Sequence, residues 1–267
     1  MLDSYKRDIT YLRISVTDRC NLRCLYCMPE VGIEKKDHQD CMSFEEIAAV
    51  AREAVSLGIT KIRLTGGEPL VRKGIIQLVS MLSEIEGLKL LGMTTNGHFL
   101  EQYAPDLKKA GLSSLNISLD TLDPHRYAHL TRGGDISRVI KGIEAALAVG
   151  FPVKLNMVIS SETTQTEMDQ MKAYCSEKGI ELQKIREYSL KEDKFQNEEI
   201  IYQRPPPCEQ CNRIRLLSSG RIKPCLHSDQ EIVLNANNIR SSLVEAIQNK
   251  PRCGSSCSTR NMVEIGG

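Results

Sequence analysis

Residues 11–27 read YLRISVTDRCNLRCLYC. It begins with a β-rich apolar run, YLRISV (11–16), which predicts a buried strand. A loop with cysteines at positions 20, 24 and 27 follows at once, in a C-x3-C-x2-C spacing. The sequence therefore places three thiols on one loop, directly after the first predicted strand.

The rest of the first 190 residues repeats a strand and helix pattern. An amphipathic helix is predicted over 43–58, with Ser43 at its N-cap and Glu46 three residues later, which is a capping box. Alternating strands and helices predict an α/β fold with a parallel sheet and right-handed crossovers, either doubly wound or curved into a partial barrel. The further predicted strands are 61–65, 89–95, 114–119, 153–159 and 181–185.

The pattern changes after Ile185. Residues 191–200, KEDKFQNEEI, predict a charged surface linker, and three prolines then precede Cys208. Half of the ten cysteines lie beyond this point, in a segment with little regular apolar periodicity. We predict two units, residues 1–190 and a small C-terminal subdomain, 191–267, which a bound cluster holds together.

Composition excludes several classes of protein. Lys and Arg number 35 against 34 Asp and Glu, so the net charge of +1 argues against a nucleic-acid binder. No apolar run approaches the length of a membrane span, and the charged start, MLDSYKRDIT, is unlike a signal peptide. We therefore expect a cytoplasmic protein that does not bind membranes.

The clustered cysteines indicate metal or iron–sulfur ligation in a reducing compartment. Three thiolates on one loop hold an iron–sulfur cluster and leave its fourth iron open to a chelating small molecule. A zinc knuckle is the alternative, but structural zinc takes four protein ligands and no fourth follows nearby.

The cysteine loop and Thr65-Gly66-Gly67-Glu68-Pro69, which follows the second strand, resemble the radical S-adenosylmethionine (SAM) superfamily. The resemblance implies a partial (β/α)6 TIM-type barrel and a [4Fe–4S] cluster on Cys20, Cys24 and Cys27. It also implies that SAM binds the open iron and is cleaved reductively to a 5′-deoxyadenosyl radical. The residues implied to contact SAM are Tyr26, Gly66, Gly67, Glu68 and Ser118.

Longer stretches, among them KIRLTGGEPLVRKG and TRGGDISRVIKGIEAAL, resemble the GTP 3′,8-cyclase family. This resemblance implies conversion of GTP to (8S)-3′,8-cyclo-7,8-dihydroguanosine 5′-triphosphate in molybdopterin biosynthesis, with a reducing electron donor and a homodimer. It implies a second [4Fe–4S] cluster on Cys208, Cys211 and Cys225, and a catalytic tail formed by Gly266 and Gly267. The implied GTP-binding residues are Arg13, Lys61, Arg63, Thr94, Lys154, Arg213 and Arg215.

The positions of four basic residues support the GTP site independently of the resemblance. Arg13, Lys61, Arg63 and Lys154 all lie in predicted strands that are otherwise apolar. A buried cation is costly without a partner, and a triphosphate is a suitable one. The alternative for each residue is an outward orientation or a carboxylate partner.

Two features depart from the cyclase pattern. The segment from Arg186 to Pro207 is short, and either Lys184 or Arg186 is available for the basic residue expected near the sixth strand. Cys253 and Cys257 are additional, and we regard both as candidate ligands of the second cluster. A fully ligated second cluster indicates the alternative function, a shortened paralogue that acts on another nucleotide or a peptide. A non-catalytic iron–sulfur protein is a third hypothesis.

Overall fold

The computed structural model describes residues 1–33, 41–191 and 207–266. The predicted linker after Lys191 and the last residue, Gly267, lie outside the described residues.

A parallel six-stranded sheet forms the body of the protein, in the order β6-β5-β4-β3-β2-β1. Each strand coincides with a predicted one to within a residue or two, which confirms the α/β prediction and is consistent with a partial TIM-type barrel. The strands are β1 (Tyr11–Ser15), β2 (Lys61–Thr65), β3 (Leu90–Thr95), β4 (Ser114–Ser118), β5 (Val153–Ile159) and β6 (Glu181–Arg186).

The C-terminal segment extends this sheet at its β1 edge. Strand β7 (Arg213–Leu216) pairs in parallel with β1, and β8 (Arg221–Lys223) and β9 (Ile232–Val233) follow in antiparallel pairing. No strand was predicted in this segment, where β7 alternates arginines with the fully buried Ile214 and Leu216. The sheet is continuous across the proposed boundary at residue 190, and the two-unit division stays a prediction.

All helices except the last, short one pack against the apolar side of the sheet and form the main hydrophobic core with it. The predicted capping box of the first helix is present: Ser43 Oγ accepts from the Glu46 backbone N–H at 3.1 Å, and Glu46 accepts from the Ser43 N–H at 2.7 Å. No helix in the described ranges is long and apolar enough to cross a membrane. The helices are α1 (Phe44–Ser56), α2 (Ile75–Ser83), α3 (Leu100–Lys109), α4 (Pro124–Thr131), α5 (Ile136–Ala148), α6 (Gln165–Lys178), α7 (Ile239–Gln248) and α8 (Met262–Ile265).

The inner face of the sheet is polar. On β1, Leu12 and Ile14 join the hydrophobic core, whereas Tyr11 and Arg13 line a cavity on the opposite side. Successive side chains of a strand point to opposite faces, so one strand supplies both the core and the cavity. This alternation positions the candidate site.

Candidate functional site

A cavity of about 220 Å³ lies on the inner face of the sheet. Side chains from β1 to β7 line it, so residues distant in sequence meet in one place. The structure brings all seven predicted substrate residues together here: Arg13, Lys61, Arg63, Thr94, Lys154, Arg213 and Arg215.

Protein groups hold three of these cations in position. Arg63 Nη1 donates to the Met93 carbonyl at 2.9 Å, and Arg13 Nη2 donates to the Gly266 carbonyl at 2.9 Å. Lys154 is partly exposed and its Nζ lies 2.5 Å from a carboxylate oxygen of Glu181. These contacts orient the three side chains toward the cavity.

Arg215 is buried, and one of its terminal nitrogens lacks a protein partner among the described residues. The side chain is 4% exposed, and its Nη1 has no hydrogen-bond partner among the described residues. Burial, followed by repulsion from Arg13 and Arg213, lowers the pKa of Arg215 to about 9. A buried donor of this kind is costly in the free protein, so it favours an anionic ligand.

Tyr11 lies among the same cations and was not predicted as a site residue. Its ring centroid is 4.9 Å from Lys61 Nζ and 5.6 Å from Arg213 Cζ. Burial opposes ionisation, but the charges of Arg13, Arg63, Arg213 and Lys61 outweigh it and lower the pKa of Tyr11 to about 7. The sequence feature that could have identified Tyr11 is its position in an apolar strand, two residues before Arg13.

The sixth strand closes the far side of the cavity. Arg186, rather than Lys184, lines it, followed by Glu187 and Tyr188. Asn116 on β4 and Asn156 on β5 also face it, and Asn116 Nδ2 donates to Asn156 Oδ1 at 3.2 Å. Neither asparagine was predicted, because a single amide in a strand carries no distinguishing pattern.

The first cysteine set lies on the loop after β1. Its backbone is folded tightly, since the N–H groups of Cys27 and Met28 both donate to the Cys24 carbonyl at 3.0 Å. Burial, with smaller charge effects from neighbouring groups, raises the pKa of Cys20 to about 11 and that of Cys27 to about 12. Iron is the cationic partner that keeps such buried thiols deprotonated.

The donor chemistry of this loop suits an iron–sulfur cluster. Cysteine thiolates are the usual protein ligands of such clusters, and each attaches to a different iron. Cys20, Cys24 and Cys27 supply three thiols from one loop.

Gly66 and Gly67 bring the end of β2 against this loop. A Cβ on Gly66 would lie 2.4 Å from the Thr17 carbonyl oxygen, and one on Gly67 2.3 Å from that of Arg19. The N–H of Gly67 donates to the Thr17 carbonyl at 2.8 Å. The glycines thus permit close packing of two backbone segments of the protein.

Glu68 is fully buried, and its carboxylate accepts hydrogen bonds from protein groups. Its carboxylate accepts from Thr95 Oγ1 at 2.8 Å and from the Asn96 N–H at 2.7 Å. Asn96 Nδ2 in turn lies 3.8 Å from Cys20 Sγ. Burial raises the pKa of Glu68 to about 7, although these hydrogen bonds oppose the shift. Glu68 therefore joins the end of β3 to the cysteine loop.

Tyr26 and Ser118 are the predicted SAM-contacting residues that line the main cavity. Tyr26 donates its hydroxyl to Asp120 Oδ2 at 2.8 Å, and burial raises the pKa of Asp120 to about 6. Since Tyr26 belongs to the cysteine loop, that loop forms one wall of the cavity.

The second cysteine set lies at the other side, before β7 and after β8. Lys250, which was not predicted, is 2% exposed and donates its Nζ to the carbonyls of Arg213 and Pro224, both at 2.8 Å. Burial opposes ionisation of Cys211, but Lys250 and then Arg213 lower the pKa of this thiol to about 7. A buried ammonium thus lies between the segments that carry Cys211 and Cys225.

The two additional cysteines have different surroundings. Cys253 is exposed, with its Sγ 2.9 Å from Cys208 Sγ. Cys257 is fully buried and packs with the apolar side chains of Leu190, Leu217 and Ile265.

The C-terminal tail returns to the sheet. A Cβ on Gly266 would lie 2.3 Å from Thr65 Oγ1, and the Gly266 carbonyl accepts from Arg13. The residue is therefore placed between the end of β2 and a cavity arginine, where only glycine fits.

Comparison with known proteins gives consistent results. The family model described as the radical SAM superfamily matches residues 14–175. A GTP 3′,8-cyclase of Peptoclostridium acidaminophilum is 43% identical over 319 aligned positions, which cover 100% of this chain and 98% of that protein. A GTP 3′,8-cyclase of Thermodesulfovibrio yellowstonii is 36% identical over 323 positions, which cover both chains completely. Both alignments are longer than the 267 residues of this chain, so these relatives contain segments that it lacks.

Solved structures share the fold at low identity. Streptococcus suis SuiB bound to its precursor peptide SuiA has a TM-score of 0.71 at 17% identity, with 92% of this chain and 66% of SuiB covered. Methylornithine synthase has a TM-score of 0.57 at 14% identity, with 95% of this chain and 77% of that enzyme covered.

Proposed function

The chain belongs to the radical SAM superfamily and, within it, to the GTP 3′,8-cyclase family, and we propose that it converts GTP to the 3′,8-cyclised nucleotide of molybdopterin biosynthesis. The observation that carries the proposal is the charge of the cavity. Among the residues that the structure describes, seven Lys and Arg side chains line it together with one carboxylate, that of Glu187. A triphosphate supplies the negative charge that such a site requires.

Most of the cations lie on three neighbouring strands of the sheet. Arg213 and Arg215 lie on β7, and Lys61 and Arg63 lie on β2, on the other side of β1. We assign the triphosphate to this group of side chains around Tyr11. The unpartnered Nη1 of Arg215 donates to a phosphate oxygen, and Arg63, fixed by the Met93 carbonyl, supplies a preorganised charge.

In this proposal the first cluster is bound by Cys20, Cys24 and Cys27. Tyr26 belongs to the same loop and lines the cavity. When bound there, the reduced cluster and SAM supply a radical that takes a hydrogen atom from substrate. Ser118 contacts SAM on the opposite wall, and the closely packed glycines of residues 66–67 keep the loop in place. The surrounding sheet excludes water from the reacting atoms.

We assign Cys208, Cys211 and Cys225 to a second cluster. Cys211 lies two residues before Arg213, so β7 connects this set directly to the proposed phosphate site. Both clusters need an external reducing electron donor. In this proposal the nucleotide lies between the two clusters, with one end facing each of them.

A peptide substrate is the alternative within the same chemistry. The support for a peptide is the similarity to SuiB. At 17% identity that similarity shows a shared fold and nothing about the substrate. The cationic lining and the cyclase relatives at about 40% identity favour the nucleotide.

The test is anaerobic incubation of the reconstituted protein with SAM, a strong reductant and either GTP or ATP. We expect 5′-deoxyadenosine release that GTP stimulates and ATP does not. Release that is indifferent to GTP would exclude the cyclase and leave another radical reaction. No release by a protein with a full complement of iron would exclude both.

A further inference from the structure

Lys250 is a buried lysine beside the second cysteine set. Its side chain is 2% exposed, and among the described residues the charges that act on it come from Cys211, Cys225 and Arg7, with no carboxylate. A lysine is almost never so deeply buried unless a negative group compensates its charge. We propose that Lys250 is a positioning residue of the second cluster, which it holds in place and whose reduced state it stabilises. The inference rests on the proposed function for the presence of that cluster.

The hydrogen bonds of Lys250 match an ammonium group. Its Nζ donates to the carbonyls of Arg213 and Pro224, both at 2.8 Å, and also hydrogen-bonds the Cys211 thiol. An ammonium has three N–H donors, and these three acceptors use all of them. The structure therefore places a satisfied but uncompensated positive charge next to a cysteine of the second set.

These acceptors belong to the two segments that carry the second cysteine set. Cys211 lies two residues before Arg213, the first residue of β7. Pro224 directly precedes Cys225, after the end of β8. Lys250 comes from a third element, since it follows α7. One side chain thus joins the segment before β7 to the segment after β8 and fixes the distance between two of the three thiols.

The hydrophobic core holds the backbone of Lys250 in place. On α7, Ala246 and Ile247 are fully buried in the main core, and the N–H of Lys250 donates to the Ile247 carbonyl at 3.3 Å. The next carbonyl, of Pro251, accepts from Arg7 Nη2 at 2.7 Å. The ammonium is therefore positioned by the protein itself and does not depend on a bound cluster for its place.

A fixed positive charge beside a cluster favours the reduced state. Reduction by one electron adds one negative charge, and the attraction between that charge and the ammonium is strong in the low-dielectric interior. Net charge and hydrogen bonds to the ligand sulfurs are among the factors that set the reduction potential of an iron–sulfur cluster. Lys250 supplies both, the charge and a hydrogen bond to Cys211. Its removal should therefore lower the reduction potential.

Lys223 provides the matched control. It is also a fully buried lysine of the C-terminal segment, but its Nζ donates to the Ser228 carbonyl and lies 3.9 Å from the Glu231 carboxylate. Its charge is therefore paired within the protein. Glu231 keeps a partner when Lys223 is replaced, because Arg260 Nε lies 2.9 Å from the same carboxylate. Lys223 and Lys250 are thus alike in burial and differ in what compensates their charge.

The experiment uses the full chain with Cys20, Cys24 and Cys27 replaced by alanine, so that only the second cluster can form. After anaerobic reconstitution and iron analysis, the cluster is reduced with dithionite at a series of fixed potentials, and the reduced form is quantified by EPR. Lys250→Gln keeps an N–H donor without the charge, and Lys250→Met removes both.

We expect both Lys250 variants to have a more negative midpoint potential than the parent. At the midpoint of the parent, the ratio of reduced to oxidised cluster should be about tenfold lower, which is a shift of about 59 mV for one electron. Lys223→Met should titrate like the parent. A midpoint of Lys250→Gln that equals that of the parent would overturn the proposal.

Iron content decides the remaining outcomes. Loss of iron from both Lys250 variants, while Lys223→Met keeps its cluster, would support the positioning role. Equal loss from Lys223→Met would overturn it, because any buried lysine of this segment would then be needed. A parent that binds no iron would exclude the second cluster itself and this proposal with it. GTP-dependent 5′-deoxyadenosine release by the unmodified chain is measured separately, so the cyclase assignment stands or fails independently.

Discussion

Arg215 combines a stability cost with a binding role, and the two can be separated by one substitution. Replacing Arg215 by alanine removes a buried cation that has an unpartnered donor and two arginine neighbours. We expect GTP affinity to fall by about ten- to a hundredfold, or about 1.5–3 kcal/mol. The melting temperature of the ligand-free protein should not fall, because the like-charge repulsion is relieved.

Calorimetric titration measures the GTP affinity, and thermal unfolding of the same samples measures the melting temperature. Lys154→Ala is the comparison, because Lys154 is partly exposed and already paired with Glu181. It should weaken GTP binding less. Unchanged affinity in Arg215→Ala would make this arginine a structural cation.

Tyr11 should make GTP binding depend on pH. Its pKa of about 7 reflects four neighbouring cations, which a bound triphosphate partly neutralises. Binding therefore raises the pKa of Tyr11, and the complex takes up a proton when the free phenol is ionised. We expect GTP affinity to decrease as the pH rises above about 7. The decrease should be smaller in Tyr11→Phe, measured across the same buffers.

At the scale of elements, the glycine pair after β2 supports the cysteine loop. In Gly67→Ala the new Cβ meets the Arg19 carbonyl at 2.3 Å, so one backbone segment has to move. We expect a loss of at least about 2 kcal/mol in unfolding free energy, together with reduced iron retention at the first cluster.

Gly150→Ala is the control for that variant. Gly150 has a positive φ of 74° but no atom within 4 Å of the added Cβ, so it carries only the conformational cost. It should lower stability by about 1 kcal/mol and leave the iron content intact. Iron retention that is equally poor in both variants would contradict the role given to Gly67.

The six parallel strands were predictable from sequence because each is a short apolar run bounded by turns. Strand β7 was not, since RIRL alternates cations with Ile214 and Leu216 and lies in a segment dominated by cysteines and prolines. The cavity cations followed from charge in apolar strands and from family resemblance. Tyr11 and Lys250 did not, because their importance depends on neighbours that only the folded chain assembles.

Considering the whole molecule, the proposed radical-generating loop and the proposed phosphate contacts come from different parts of the chain and meet at one cavity. Cys24 belongs to the loop after β1, whereas the proposed phosphate contacts include β7. We expect Cys24→Ala to abolish SAM cleavage, because two thiolates do not hold the first cluster, while GTP affinity stays within about threefold. Cys41→Ala, outside both cysteine sets, should preserve cleavage. Measurable 5′-deoxyadenosine from Cys24→Ala would contradict the radical assignment.

Formation of the 3′,8-cyclised nucleotide requires removal of the hydrogen atom at C3′ of GTP. The direct measurement is anaerobic turnover with GTP deuterated at C3′, followed by mass spectrometry of the released 5′-deoxyadenosine. We expect the 5′-deoxyadenosine to carry the deuterium, in step with formation of the cyclised nucleotide. Unlabelled 5′-deoxyadenosine released during GTP consumption would contradict it, as would consumption of GTP with no 5′-deoxyadenosine at all.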